Sequence, residues 1–180
     1  MKDPQKLSHR ELAAFVSHHL QANGIDTVLT GGACVSLYTR NRYESYDLDF
    51  VNVAEAPLTR IRAALLRIGF APEGRIYVNS KVKYSIDILN PPLSIGGEKI
   101  TATNTIAVKK MQLKLLTPTD SVRDRLAAFY FWNDLQALEQ ALMVARDNEV
   151  DLAGIRRWSK KENEMEKFKF FQKKLRSNKK

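Results

Sequence analysis

The fold of this chain is expected to depend on two short stretches, TVLTGG at positions 27–32 and DLDFV at positions 47–51. The first is a β-branched run that ends in a glycine pair, which predicts a strand, a tight turn and then a helix over 33–38. The second alternates polar and apolar residues with a period of two, which predicts a strand. Asp47 and Asp49 then leave one face of that strand, about 7 Å apart along the backbone, while Leu48 and Phe50 point into the core.

A third acid lies in a later apolar run. Asp87 stands between Ile86 and Ile88, and on a strand it shares a face with Lys83 and Ser85. A carboxylate in such surroundings is costly without a compensating charge, which a divalent metal or a neighbouring lysine can supply. Mg²⁺ binds a few carboxylates together with substrate phosphates.

The glycine pair has a separate expected role. Glycines between a strand and a helix let the backbone approach an anion, and the helix N-terminus offers free N–H groups to phosphate. A phosphate site beside a carboxylate cluster is what metal-assisted phosphoryl transfer requires. The glycine pair is also compatible with a simple turn.

Taken in order, these residues resemble a known superfamily. Gly31-Gly32, the stretch Ser45-Tyr46-Asp47-Leu48-Asp49-Phe50 and Asp87 are similar to the pattern of the DNA polymerase beta-type nucleotidyltransferases. The pattern Arg42-x-x-Ser45-x-Asp47-Leu48-Asp49-Phe50 looks most like the abortive-infection AbiEii-type toxins and related uncharacterised bacterial proteins. The resemblance covers roughly residues 25 to 90. Two features depart from it: the long spacing between Gly32 and Asp47, and the alanine after the glycine pair.

The resemblance implies a nucleotidyltransferase fold and a set of roles. Asp47, Asp49 and Asp87 would be the catalytic residues and the ligands of Mg²⁺, with Asp87 a candidate base. The nucleotide-binding residues would be Gly31, Gly32, Ser36 and Lys83, the last placed there because it shares the face of Asp87. Five further basic residues can hold a triphosphate or lie on the surface, with the surface favoured: Lys109, Lys110, Lys114, Arg123 and Arg125.

The implied reaction moves a nucleotidyl group from a nucleoside triphosphate to an acceptor hydroxyl. The resemblance to the abortive-infection toxins implies that the protein is a toxin that acts on RNA such as tRNA, with an antitoxin protein as its partner. Small molecules such as aminoglycosides, or a protein hydroxyl, stay open as acceptors. The alternative is a catalytically inactive protein of the same fold that acts as a nucleic-acid-binding or regulatory module.

Composition places the protein among soluble, cytoplasmic proteins. The 180 residues are 44% hydrophobic and 27% charged, which suits a globular chain with a core of its own. No apolar run is long enough to span a bilayer, and no signal peptide is evident at the start of the chain. The single cysteine, Cys34, cannot form an intramolecular disulfide. We therefore expect no membrane partner.

The charge is concentrated at the C-terminal end. The net charge is +9, and residues 156–180 hold 11 basic and 3 acidic residues. Such a segment can bind a polyanion, possibly RNA, or can simply be a solvated helix. An apolar stripe of Trp158, Met165, Phe168 and either Phe171 or Leu175 would dock it on the core.

The remaining elements complete an α/β prediction: a mixed β-sheet flanked by helices, with a helical C-terminal part. Ser8 and Glu11 form a capping box at the start of the first helix. Helices are further expected from 57 to 69, 118 to 131, 134 to 146 and 152 toward 175, a hairpin from 75–78 and 82–89, and a strand at 111–116. We divide the chain into a nucleotidyltransferase core (1–116), a helical hairpin packed on it (117–150) and a basic C-terminal helix or tail (151–180).

Overall fold

A computed structural model describes residues 4–177. A short 3-10 helix, Pro4–Lys6, precedes the first α-helix. The α-helices are α1 His9–Ala22, α2 Gly31–Tyr38, α3 Leu58–Arg67, α4 Pro118–Trp132, α5 Leu135–Asp147, α6 Leu152–Lys161 and α7 Met165–Ser177. The strands are β1 Thr27–Leu29, β2 Asp47–Asn52, β3 Ala71–Glu73, β4 Ile76–Val78, β5 Ser85–Leu89, β6 Ser94–Ile95, β7 Glu98–Lys99, β8 Asn104–Val108 and β9 Met111–Leu115.

Seven strands form one mixed sheet in the order β3-β4-β5-β2-β1-β9-β8, and β6 pairs with β7 in a separate ribbon. Strand β2 lies at the centre of the larger sheet, antiparallel to β1 and parallel to β5. The predicted mixed α/β architecture with a helical C-terminal part is therefore confirmed, and the two aspartate-bearing strands are direct neighbours.

Several helix starts follow from local chemistry. The side chain of Ser8 accepts a hydrogen bond from the backbone of Glu11, and the Glu11 carboxylate accepts one from the backbone of Ser8, so the predicted capping box is present. Thr117 caps α4, with proline in the first turn. Asp134 caps α5 through the backbone N–H of Ala137.

In the second half of the chain, one expectation is wrong and one strand lacked a prediction. The single helix expected from 152 toward 175 is two helices, because Asn163 adopts a left-handed φ of 61° between α6 and α7. Strand β8 was not expected, yet it pairs antiparallel with β9 along its whole length. Its sequence, NTIAV, carries only two large apolar side chains, which explains why its pattern is weak.

The basic C-terminal helices pack on the rest of the protein. Trp158, Phe168, Phe171 and Leu175 are all buried and belong to the same hydrophobic cluster as the sheet, which confirms the predicted docking stripe. Met165 is partly buried beside them. Deleting α7 would therefore expose core side chains. Among residues 4–177, no helix has the length and apolarity needed to cross a membrane.

Candidate functional site

The three aspartates lie on two neighbouring parallel strands. Asp47 is in register with Ser85, and Asp49 is in register with Asp87. Because side chains alternate along a strand, all three carboxylates leave the same face of the sheet. Asp47 is exposed, Asp49 is partly buried and Asp87 is only 6% exposed. The structure thus places the three acids that the sequence selected on one face of two neighbouring strands.

Two of the acids have partners of their own. The Ser85 hydroxyl donates to Asp47 Oδ1. The guanidinium of Arg75 lies 3.1 Å from Asp87 Oδ2, and its own side chain is 84% exposed. The other oxygen of Asp87, Oδ1, is buried without a hydrogen-bond partner among the described residues. A buried carboxylate oxygen in that state is open to a cationic ligand.

The surroundings of Asp49 shift the pKa of its carboxyl group. Burial, with the negative charges of Asp47 and Asp87 beside it, raises its pKa to about 6. The negative charges of the neighbouring aspartates are therefore not fully compensated by cationic groups of the protein around Asp49. A cation bound between them would relieve that repulsion.

Asp49 approaches the start of α2 because residue 31 is glycine. Gly31 has a φ of +63°, and a Cβ added there would overlap Asp49 Oδ2. The N-cap residue, Thr30, makes no side-chain hydrogen bond to this helix, so the first-turn N–H groups have no competing side-chain cap there. The glycine expected to admit a phosphate thus also admits the Asp49 carboxylate, and both glycines are buried.

Gly32 and Ser36 serve the loop that leads into β2. A Cβ on Gly32 would lie 3.0 Å from Ser45 Oγ, and its φ is not positive. Ser36 is fully buried; its hydroxyl donates to the carbonyl of Gly32 at 3.2 Å and accepts from the N–H of Ser45 at 2.9 Å. We therefore assign Ser36 to positioning the loop rather than to the nucleotide contact that the sequence suggested.

Lys83 also differs from its expected placement. It lies before β5 begins, so the period-two argument that put it on the face of Asp87 does not extend to it. Its ammonium pairs with Glu44 at 2.7 Å and lies over the rings of Tyr46 and Tyr84. Asp87 has Arg75 rather than Lys83 as its cation.

A second basic residue near the site, Arg125, is one of the five for which the sequence favoured the surface over a triphosphate contact. Arg125, expected on the surface, has a side chain only 19% exposed and donates to Asp124 at 2.6 Å. Burial opposes its charge, but Asp124 and Asp49 hold its pKa above the usual value. Arg125 in turn opposes the rise in the pKa of Asp49. Its place near Asp49 depends on the packing of α4 against α2, which a local sequence pattern does not predict.

The oxygen atoms of the three aspartates are of the chemical type that Mg²⁺ binds. Carboxylate oxygens are the ligands this ion prefers, and Asp87 Oδ1 is a buried oxygen that lacks a partner. Within residues 4–177, no three acidic, histidine or cysteine side chains are gathered tightly enough to form a ready-made metal site. The geometry gives a reason, since Ser85 holds Asp47 and Arg75 holds Asp87.

A cavity opens beside the third acid. It has a volume of about 360 Å³, and its lining includes Leu58, Arg75, Tyr77, Asp87 and Asn90. Its walls therefore combine apolar surface with the Arg75–Asp87 ion pair. The size and chemistry suit a small polar group that must come close to the Asp87 carboxylate.

Comparisons of the chain with protein-family models, with curated proteins and with solved structures found no match in any of the three.

Proposed function

We propose that this protein is a Mg²⁺-dependent nucleotidyltransferase of the DNA polymerase beta type, with RNA such as tRNA as the acceptor. The observation that carries the proposal is the pairing of Asp49 with Asp87 across two parallel strands, beside the uncapped start of α2 at Gly31. Carboxylates and a phosphate-binding helix terminus then lie on one site, as nucleotidyl transfer requires.

Each residue of the site has a part in this reaction. Asp47, Asp49 and Asp87 would hold the metal, and the first-turn N–H groups of α2 would bind triphosphate oxygens. Mg²⁺, when bound, neutralises charge on the triphosphate and makes the attacking hydroxyl more acidic. Asp87 accepts the proton of the acceptor hydroxyl, whose oxygen bonds to the α-phosphorus while the bond to pyrophosphate breaks.

The cavity beside Asp87 is the proposed entry for the acceptor. It lies on the β4 side of Asp87, whereas α2 contacts the Asp49 side. Donor and acceptor would thus approach the acids from opposite sides, which is the arrangement that an in-line displacement needs. A cytoplasmic location and an antitoxin partner that covers this site belong to the same proposal.

Labelled triphosphates test the function. The protein is incubated with Mg²⁺, total cell RNA and protein, and nucleoside triphosphates labelled at either the α- or the γ-phosphate. We expect label from the α-phosphate alone to appear in RNA, with pyrophosphate released. Label from the γ-phosphate in any acceptor would indicate a kinase, and no labelling from either would favour the inactive, nucleic-acid-binding alternative.

Arg75→Gln is expected to strengthen metal binding. Arg75 competes with a cation for Asp87, so removing its charge should raise the affinity for Mn²⁺ or Mg²⁺ several-fold, on the order of a weak ion pair. Calorimetric titration of the metal alone measures this. The control is Lys83→Gln, which removes the same charge at the Glu44 pair and should have a smaller effect. Unchanged or weaker metal affinity in Arg75→Gln would contradict the assignment of Asp87 as a ligand.

A further inference from the structure

A cleft lies at the elbow between α6 and α7. It has a volume of about 540 Å³. Its lining residues are Ala153, Arg156, Arg157, Lys160, Met165 and Lys169. Four of the six are basic and none is acidic, so the cleft is a concentrated positive site, apart from the aspartate cluster.

The cations of this elbow cleft differ in how far they are neutralised. Arg157 has Asp151 at 3.5 Å, and Lys169 has Glu166 at 2.6 Å. Within residues 4–177, the side chains of Arg156 and Lys160 have no ion-pair or hydrogen-bond partner, and both are exposed. They stand four residues apart on α6, so they share one face with Cβ atoms about 5–6 Å apart.

Three other lysines of the same segment are already engaged. Lys167 donates to the carbonyl of Tyr130, and Lys174 pairs with Glu139 at 3.0 Å. Lys161 lies 3.4 Å from Glu98. Within residues 4–177, Lys173 and Arg176 of α7 are exposed without such a partner, but neither lines the elbow cleft. The free positive charge of the elbow cleft itself is therefore on α6.

We propose that the elbow cleft binds the sugar–phosphate backbone of a nucleic acid. Two unpartnered cations at helical i, i+4 spacing match consecutive phosphates, and a guanidinium can bind a phosphate through two hydrogen bonds. The apolar walls from Ala153 and Met165 suit a sugar or a base edge. The α6 helix is rigidly held, since Ile155 and Trp158 on its other face are buried.

Binding of nucleic acid as a function of salt tests the site. Labelled single-stranded RNA and DNA oligomers are titrated at several salt concentrations, without triphosphate or Mg²⁺, so the result does not depend on the nucleotidyltransferase proposal. We compare the wild type with the double variant Arg156→Gln/Lys160→Gln. The matched control is Lys161→Gln/Lys174→Gln, which removes the same charge from engaged lysines.

The elbow variant should reduce the slope of log affinity against log salt by about 1.4, or 0.7 for each lost phosphate contact on a single strand. Its affinity at moderate salt should fall on the order of tenfold or more. The control variant should keep most of the salt slope and most of the affinity at moderate salt. Equal losses in the two variants would reduce the effect to net charge and overturn the proposal. The proposal would also be overturned if the wild type bound neither oligomer, even if it bound anionic vesicles or an acidic protein. RNA binding tighter than DNA binding would identify RNA as the ligand.

Discussion

The Asp49→Asn variant is expected to lose transfer activity by about 10³-fold or more, since metal-assisted stabilisation of the transition state is worth several kcal/mol. The amide keeps the shape of the side chain but removes the negative charge that would hold Mg²⁺. A quantitative transfer assay with excess enzyme measures the residual rate. The control is Asp147→Asn on α5, which removes one carboxylate charge at an ion pair with Arg42 and should leave the rate unchanged.

The same variant should be more stable than the wild type at neutral pH. The pKa of Asp49 is about 6 in the folded protein, above its usual value. Between about pH 4 and about pH 6, the folded chain therefore holds a proton that the unfolded chain has released. Wild-type stability therefore falls as the pH rises from about 4 to about 6. The Asp49→Asn variant has no such loss of stability. The difference in free energy of unfolding between the variant and the wild type is therefore absent below about pH 4 and reaches on the order of 2 kcal/mol above pH 6.

Thermal or denaturant unfolding from about pH 3.5 to about pH 8, without metal, measures that difference in stability. A variant that is less stable than the wild type at neutral pH would show that the three acids do not repel one another. A parallel pH dependence in Asp147→Asn would assign the effect to some other group.

The Gly31→Ala variant is also expected to have a large effect, on both stability and transfer rate. Its methyl group would overlap the Asp49 carboxylate, and its φ of +63° suits glycine best. The backbone strain costs about 1–2 kcal/mol of stability. Displacing a catalytic carboxylate by about 1 Å is expected to cost on the order of 10²-fold in rate.

Gly74→Ala is the matched control for this substitution. Gly74 has a φ of +59°, and a Cβ added there has no heavy atom within 4 Å. Both variants therefore carry similar backbone strain. Gly74 lines the cavity beside Asp87, but its added methyl group meets no side chain there, whereas the methyl group of Gly31→Ala meets the Asp49 carboxylate. Transfer should survive in Gly74→Ala. Equal rates in the two variants, measured where both are folded, would show that the space beside Gly31 is irrelevant to catalysis.

The sequence predicted most of the acid cluster because local rules govern it. A period of two put Asp47 and Asp49 on one face, and an aspartate within Ile-Asp-Ile marked Asp87 as a buried charge. The pairing of β2 with β5 could not be predicted from the sequence, because it depends on the order of all seven strands in the sheet.

The cations of the site were harder to predict because tertiary packing selects them. Arg75 reaches Asp87 because the β4–β5 hairpin aligns Ile76 with Asp87 and leaves the preceding residue beside it. That contact follows from hairpin register, which the sequence did not fix. Lys83 seemed better placed by alternation, but the alternation stops where β5 begins. Arg125 depends on how α4 packs.

The C-terminal segment shows the same division between local and tertiary signals. Its apolar stripe predicted the buried face correctly, because amphipathic spacing is a local pattern. The break at Asn163 and the distribution of partners among the lysines depend on neighbouring elements. Glu98 and Glu139, for example, lie far away in sequence from the lysines that they engage.

Calorimetric titration of Mg²⁺-triphosphate into the wild type and Asp49→Asn, with Gly31→Ala and Gly74→Ala alongside, tests the central proposal most directly. We predict saturable, Mg²⁺-dependent binding at one site in the wild type and in Gly74→Ala, strongly weakened in Gly31→Ala and absent in Asp49→Asn. Absence of triphosphate binding in the wild type, or equal binding in the wild type and Asp49→Asn, would contradict the assignment of this cluster as a nucleotidyltransferase site.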